Sequence, residues 1–143
     1  MIRLMKNDDI FEVERLEKRV LKETLGASFF DQELNLNPFA YYYVYEHNKE
    51  IIGYIGLRIY DDICEVINFV IASLYQRQGY GQLIFDYILE EAKKRLVKTI
   101  SLEVRKSNKQ ALNFYYKNDF YKENVRKKYY DNNEDALVLI RDV

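Results

Sequence analysis

The sequence predicts an α+β fold, with a mixed, mostly antiparallel sheet of seven strands and helices on both faces of the sheet. Of its 143 residues 48% are apolar and 31% are charged, which is typical of a soluble globular domain. Three strand-like runs follow one another through residues 40–72, and the apolar period then changes twice between helix and strand. No repeat or linker divides the chain, so we expect a single domain over residues 1–143.

The first half of the chain predicts a strand, a long helix and a meander of three strands. "IRL" has the length of a short strand, and Asp8 and Asp9 favour a helix start because they complement the helix dipole. The helix is marked by apolar residues at helical spacing, which are Ile10, Val13, Leu16 and Val20. "GASFFDQELNLNP" interrupts it and leaves room for one short second helix before Pro38. The runs "AYYYVYE", "IIGYIGLRIY" and "ICEVINFVIA" then predict three antiparallel strands.

The second half predicts two more helices and three more strands. From Gly79 a third helix has an apolar face made of Leu83, Ile84, Tyr87, Ile88, Ala92 and Leu96. "TISLEV" predicts the fifth strand, and "SNKQALNFYYKN" predicts a fourth helix with Ser107 and Gln110 in capping-box spacing. "FYKENVRKKYY" and "EDALVLIRD" predict the last two strands, joined by the turn "DNN". Because a helix connects the fourth and fifth strands, we expect these two strands to be parallel neighbours.

Charge and composition exclude several classes of function. A net charge of −1 gives no general attraction to nucleic acid or to anionic membranes, and acidic residues surround the basic-aromatic run "VRKKYY". No apolar run approaches the roughly 20 residues that span a bilayer, and the start of the chain has no signal-peptide pattern. A single cysteine, Cys64, and a single histidine, His47, provide neither a disulfide framework nor a metal cluster. We therefore expect a cytoplasmic protein without a metal.

A glycine-containing loop precedes the third helix, in the segment Gln76-Arg77-Gln78-Gly79-Tyr80-Gly81. Glycine permits positive φ and lets the backbone approach a ligand, and consecutive amides at a helix N-terminus suit a phosphate. The segment lacks the lysine of a Walker loop and the third glycine of a dinucleotide fingerprint. The pattern predicts a pyrophosphate site at residues 77–82, although a tight turn without a ligand has the same local sequence.

The pattern Q-x-x-G-x-G between a strand and an amphipathic helix resembles the acyl-CoA motif of the GNAT acetyltransferase superfamily, whose strand order also matches from end to end. The segment "LEVRKSNKQALNFYYKNDFYKENVRKKYYDNNEDALVL" resembles the C-terminal half of the RimI-type ribosomal-protein-alanine N-acetyltransferases. The resemblance is good over residues 51–140 and extends to the first 50 residues only in layout. It implies acetyl-CoA as co-substrate and a sheet that splays open between strands four and five.

The resemblance also implies how acetyl-CoA is bound. Backbone groups of Phe69, Val70 and Ile71 would pair with the pantetheine arm as an added strand does. The pyrophosphate would be wrapped by Arg77, Gln78, Gly79, Tyr80, Gly81 and Gln82. Asn108 would contact the CoA arm, and simple capping of the fourth helix is its alternative role. Arg77 would add charge, although an arginine in a loop is often only solvated.

Two residues take catalytic roles by their positions in the resembling motif. Glu103 of "SLEVR" would accept the proton of the amine, directly or through one water, unless strand alternation turns it to solvent. Tyr115 would protonate the departing thiolate, although aromatic residues on helices more often belong to the core. Amides near Ile71 would polarise the thioester carbonyl. Nothing pairs Cys64 with a base, so we expect direct transfer without an acetyl-enzyme.

The acceptor implied by the resemblance is a protein N-terminus, such as the terminal alanine of a small-subunit ribosomal protein. It would lie between the loop 25–30 and a final hairpin carrying Tyr129 and Tyr130, a pair that is equally typical of simple packing. Two departures stand out: "GASFFDQELN" replaces a Pro-Trp-Ser-like element, and Asp119 occupies a glycine position. We expect Asn118 or Asp119 to adopt the left-handed backbone there, so that the helix end is kept. Acetylation of a small amine or a lysine, or a non-catalytic acyl-CoA-binding module, remain the alternatives.

Overall fold

A computed structural model describes the whole chain, residues 1–143, as one sheet with helices on both faces. The strands are β1 (Ile2–Leu4), β2 (Ala40–His47), β3 (Glu50–Tyr60), β4 (Ile63–Ile71), β5 (Thr99–Arg105), β6 (Tyr121–Arg126) and β7 (Ala136–Asp142). The helices are α1 (Ile10–Leu21), α2 (Ala27–Asn35), α3 (Tyr80–Lys94) and α4 (Lys109–Lys117). Single turns of 3₁₀ helix occupy Asn7–Asp9 and Ser73–Tyr75. None of the helices combines the length and the apolar character that a membrane-crossing helix requires.

The sheet has the order β1-β2-β3-β4-β5-β7-β6, and β4–β5 is its only parallel pair. This confirms the predicted mixed, mostly antiparallel sheet and the crossover through α3. The parallel pairing is short, because it joins only residues 63–65 to residues 99–101. Beyond them, residues 66–71 of β4 and 102–105 of β5 have no pairing with each other. This opening, called the splay below, confirms the implied gap between strands four and five.

A β-bulge in β4 lies next to the point where the two strands separate. Gly56 of β3 faces Asn68 and the next residue, Leu57, faces Val66, so Ile67 is the extra residue on β4. A bulge bends its strand and increases the local twist. It lies just after the last β4–β5 pair, at Glu65, and therefore accounts for the departure of β4 from its parallel neighbour.

Two hydrophobic cores lie on the two faces of the sheet. The first joins α3 and α4 to the sheet and includes Ile100, Leu102 and Val104 of β5. The second lies under α1 and α2, where α1 packs on β3 and β4 and α2 packs on β2. Because side chains alternate along a strand, Glu103 and Arg105 lie on the α1/α2 face of the sheet.

The last hairpin is shorter than the sequence predicted. β6 ends at Arg126 and β7 begins at Ala136, so residues 127–135 form a loop, and the prediction that Tyr129 and Tyr130 lie in a strand is wrong. Lys128 and Asn133 adopt positive φ values of 52° and 63°, which a strand does not allow. The Asp135 carboxylate accepts the Lys128 amide at 3.0 Å and so holds this 127–135 loop together.

Three further predictions concern helix ends and faces. Leu83 is 52% exposed, and Leu96, which follows the end of α3 with φ 61°, is 80% exposed, so neither belongs to the apolar face of the helix. Leu96 was included because it continues the hydrophobic spacing of the helix, but spacing alone does not show where a helix ends, and α3 ends at Lys94. Asp119 adopts φ 67° while Asn118 has φ −100°, so of the two residues expected to take a left-handed conformation after α4 it is Asp119 that does so.

Candidate active site

A cavity of about 720 Å³ lies beside the splay, between the end of β4, the glycine loop and the start of α4. Of the residues predicted to bind the cofactor, it is lined by Phe69, Val70, Ile71, Arg77, Gly79, Gly81, Gln82 and Asn108. Gln78 and Tyr80 do not line it. Tyr115 lines it and Glu103 does not. The cavity therefore brings together most of the predicted cofactor set and the predicted acid, and leaves the predicted base outside.

Main-chain amides of the glycine loop are free to bind a ligand. The first hydrogen bond of α3 runs from the Leu83 amide to the Gly79 carbonyl at 3.0 Å, and the amides of residues 77–82 donate to no acceptor in the protein. Arg77 and Gly79 adopt positive φ values of 60° and 92°, which turn this part of the loop. Free amides at a helix N-terminus form a site for an anion.

The two glycines have different reasons for being there. Gly79 has open space where a Cβ would lie, but it takes a backbone conformation that L-residues rarely adopt. Gly81 is helical, and a Cβ there would lie 3.8–3.9 Å from Phe114, Ile71 and Phe69. Those contacts are ordinary in distance, but the added methyl would fill part of the cavity wall. Gly79 is therefore explained by the backbone conformation of the turn, and Gly81 by the space that its missing side chain leaves in the cavity.

Glutamine side chains fasten the loop to the end of β4 and to the 3₁₀ turn that follows it. Gln76 donates to the Ile71 carbonyl at 2.8 Å, and Gln78 donates to the Leu74 carbonyl at 2.6 Å. Gln76 also lines the cavity. Sequence reasoning did not give it a role, although it is the first residue of the Q-x-x-G-x-G pattern.

Tyr80 and Gln82 have partners that anchor α3. The Tyr80 ring packs edge-on against Tyr45 and Tyr75, with centroid distances of 5.2 and 5.5 Å. Gln82 exchanges hydrogen bonds with Asn118, which ties the start of α3 to the end of α4. The ring of Tyr80 therefore packs against its neighbours outside the cavity lining, and its amide has no acceptor in the protein.

Backbone groups at the end of β4 are already partly engaged. The Phe69 amide donates to the Asn68 side-chain oxygen at 3.1 Å, and Gln76 occupies one acceptor position of the Ile71 carbonyl. Asn108 caps α4 by accepting the Ala111 amide at 3.2 Å, while its own side-chain NH₂ has no acceptor. Asn108 can thus cap the helix and donate into the cavity at once.

Tyr115 is a neutral phenol at the cavity wall. It is 8% exposed and packs between Phe114 and Phe120, with centroid distances of 5.4 and 5.3 Å. Its hydroxyl has no hydrogen-bond partner in the protein. Every side-chain oxygen or nitrogen that is fully buried does have a partner, so the Tyr115 hydroxyl is not fully buried and is accessible from the cavity. Burial raises the pKa of Tyr115 above its usual range. The phenol therefore keeps its proton, as a general acid requires.

Glu103 lies on the other face of the sheet and is paired with Arg126. The Arg126 Nε atom lies 2.8 Å from the Glu103 carboxylate, and this contact reaches across β7, where Val138 and Ala136 are the cross-strand neighbours. The Glu103 side chain is 29% exposed. Arg126 was missed by sequence reasoning, which treated it only as part of the basic run "VRKKYY".

The 127–135 loop brings Tyr129 and Tyr130 to the same face as Glu103. The guanidinium of Arg105 lies 3.9 Å from the centroid of the Tyr130 ring, and that of Arg126 lies 5.5 Å from the Tyr129 ring. The two rings contact each other edge-on at 5.2 Å. The nearby Glu103 carboxylate raises the pKa of Tyr129. Both tyrosines therefore stand beside the predicted base, although not in a strand.

Cys64 has no part in this arrangement. It is buried in β4 within the α3/α4 core and does not line the cavity. Burial raises the pKa of its thiol to about 12, which disfavours the nucleophilic thiolate.

The fold, and the splay with free amides beside it, are those expected of a GNAT acetyltransferase, and comparison with known families gives the same class. Residues 7–120 match the family model described as the acetyltransferase (GNAT) family. This match covers most of the chain, which therefore belongs to the GNAT acetyltransferase family and is an acetyltransferase.

One sequence relative and two solved structures illustrate which acetyltransferases this chain is similar to. The chain is 34% identical over 139 residues to a Bacillus subtilis protein provisionally named a ribosomal protein bS18-alanine N-acetyltransferase, an alignment that covers 96% of this chain and 92% of the relative. The fold of the present chain matches the crystal structure of the Escherichia coli ribosomal-protein-S18-alanine N-acetyltransferase with a TM-score of 0.92. The two chains are 23% identical, and the match covers 100% of this chain and 93% of the other. The PaiA N-acetyltransferase of Thermoplasma acidophilum, solved in complex with coenzyme A, matches with a TM-score of 0.86, at 16% identity over 100% and 98% of the two chains.

Proposed function

We propose that this acetyltransferase transfers an acetyl group from acetyl-CoA to the N-terminal α-amine of a protein, specifically the terminal alanine of a small-subunit ribosomal protein. The observation that carries the proposal is the two-sided splay, with free amides and the Tyr115 phenol on one face and Glu103 on the other. The name of the Bacillus subtilis relative supports the choice of acceptor.

The residues of the cavity fit acetyl-CoA. The amides of residues 77–82 lack acceptors, as a bound diphosphate needs, and Arg77 adds a positive charge at the same wall. The NH₂ group of Asn108 is available for the amide-bearing arm, and residues 69–71 have no strand paired with them on the side of the splay. Acetyl-CoA supplies the activated thioester. The chain binds and orients it so that the reacting carbonyl lies at the splay.

Proton movement is the task of the two predicted catalytic side chains. Glu103 accepts the proton that the acceptor ammonium must lose before attack, directly or through one water. Because Arg126 already lies against this carboxylate, an incoming ammonium has to share it or take the place of Arg126. Tyr115 keeps its proton through burial and donates it to the leaving thiolate, and the second proton, which the nitrogen loses as the amide forms, restores the phenol. No covalent intermediate on Cys64 is required.

A panel of acceptors tests this function. The protein is incubated with acetyl-CoA and with short peptides that have a free N-terminal alanine, the same peptides with a blocked terminus and an internal lysine, and polyamines. Released thiol and product mass are measured together. We expect acetylation of the free α-amine only. Reaction of the blocked peptides or of polyamines alone would instead support a lysine or small-amine acetyltransferase.

A further inference from the structure

A carboxylate is buried in α1 without a positively charged partner. The side chain of Glu17 is 0% exposed, and none of the ion pairs in the protein includes it. A buried charge is costly unless it is fully hydrogen-bonded. Glu17 meets this condition with four donors, two on each carboxylate oxygen. Nothing in the sequence pattern indicated this, because Glu17 occupies an ordinary polar position of an amphipathic helix.

One oxygen of Glu17 fixes the connection between α1 and α2. Its Oε1 atom accepts the Thr24 hydroxyl at 2.6 Å and the Leu25 amide at 3.2 Å. Thr24 in turn accepts the Gly26 amide at 3.1 Å. Residues 25 and 26 belong to the stretch predicted to form one wall of the acceptor groove. The carboxylate thus determines the position of this wall.

The other oxygen fixes the strand that borders the splay. Its Oε2 atom accepts the Tyr54 hydroxyl at 2.5 Å and the Asn68 side-chain NH₂ at 3.0 Å. The oxygen of the Asn68 side chain then accepts the amide of Phe69, the first of the three residues predicted to bind the pantetheine arm. Burial, and next the Glu17 charge, raise the pKa of Tyr54, so it remains a donor.

We propose that Glu17 is a positioning residue that sets the acceptor wall at residues 24–26 and the cofactor strand at residues 68–71 in register with each other. This inference rests on the proposed function only for the identity of the acceptor. The geometry explains why a carboxylate is needed: the Leu25 amide and the Asn68 NH₂ are obligate donors on opposite oxygens. An amide in place of Glu17 would direct its own NH₂ at one of them.

The substitution Glu17→Gln tests the proposal, with Glu33→Gln as the matched control. Glu33 is also buried, at 5% exposure, and accepts from Tyr42, Arg58 and Asn37, but none of these residues lies in the 24–26 or 68–71 segments. We expect Glu17→Gln to lower kcat/KM for the peptide about 10-fold or more, since small misplacements at a reacting centre are costly. Glu33→Gln should leave kcat/KM for the peptide within about twofold.

Hydrogen exchange provides a second readout that does not depend on the acceptor. In Glu17→Gln we expect faster exchange at the amides of Leu25, Gly26 and Phe69, and unchanged exchange in α3 and α4. In Glu33→Gln these three amides should keep their wild-type rates. Equal loss of thermal stability in both variants, with wild-type kcat/KM and wild-type exchange in Glu17→Gln, would reduce Glu17 to a packing role and overturn the proposal.

The outcome of this test is separable from that of the proposed function. If the wild-type protein acetylates polyamines and no peptide, the proposed function fails. The comparison of Glu17→Gln with Glu33→Gln is then made on the polyamine reaction and on the exchange rates, and it still supports or overturns the positioning role.

Discussion

The polar groups on the two sides of the splay differ in whether they already have partners in the protein. On the cavity side, the amides of residues 77–82 have no partner in the protein and a buried phenol faces open space. On the opposite face, charged groups already have partners, as Glu103 does with Arg126 and Glu134 does with Arg105. The cavity side is therefore ready to receive an anionic ligand, whereas a ligand on the other side must exchange partners. Under the proposed function, the cofactor would therefore bind to groups that are already free, whereas the acceptor would have to displace existing ion pairs.

The largest effect expected from this comparison is on the base. Glu103→Gln should lower kcat about 100-fold, because general base catalysis typically contributes 10²–10⁴-fold, while the affinity for CoA stays within about twofold. Steady-state kinetics and calorimetric titration with CoA measure the two quantities. A variant that retains wild-type kcat would remove Glu103 from the mechanism.

The acid on the cavity side should show a smaller effect with a distinct pH dependence. We expect Tyr115→Phe to lower kcat at least about tenfold, because water replaces the phenol as proton donor. Since burial raises the pKa of Tyr115 above its usual value of about 10, its acid form persists and the wild-type kcat should not fall between about pH 8 and 10. An alkaline loss of kcat in that range that disappears in Tyr115→Phe would contradict this assignment.

The smallest effect is expected where the acceptor side exchanges partners. The Arg126–Glu103 ion pair is partly exposed, with the arginine side chain 55% accessible, so it is worth about 0.2–1 kcal/mol. Arg126→Gln should therefore lower KM for the peptide about 1.4- to fivefold, because the ammonium no longer competes with the guanidinium, and leave KM for acetyl-CoA unchanged. Lys127→Gln on the adjacent loop position is the control. An unchanged or higher peptide KM in Arg126→Gln would mean that the acceptor does not meet this ion pair.

The cavity side was predictable from the sequence to a much greater extent than the acceptor side. The loop at residues 76–81 combines a local motif with a strand before it and a helix after it, so both its place and its free amides follow from neighbouring residues. The left-handed residue after α4 was likewise predictable to within one position, as Asn118 or Asp119, because helices commonly end in a left-handed residue. These features depend on contacts within a few residues.

The acceptor side depends on contacts between distant residues, and for this reason the sequence was less informative there. The Arg126–Glu103 pair crosses an intervening strand, and Glu17 meets Tyr54 and Asn68 only after α1 packs on the sheet. Residues 127–130 were predicted to continue the strand that ends at Arg126, because the aromatic residues Tyr129 and Tyr130 have high strand propensity. The positive φ of Lys128, which ends the strand conformation, could not be predicted from the sequence, since lysine does not favour positive φ.

We propose above all that the free amides of residues 77–82 bind the diphosphate of CoA, and a titration with CoA tests this most directly. Amide chemical shifts are followed while the protein is titrated with CoA and, separately, with pantetheine, which lacks the diphosphate. We predict that CoA shifts the amides of residues 77–82 together with those of residues 69–71, and that pantetheine shifts only the latter. If CoA leaves the amides of residues 77–82 unmoved, the account of this site is wrong.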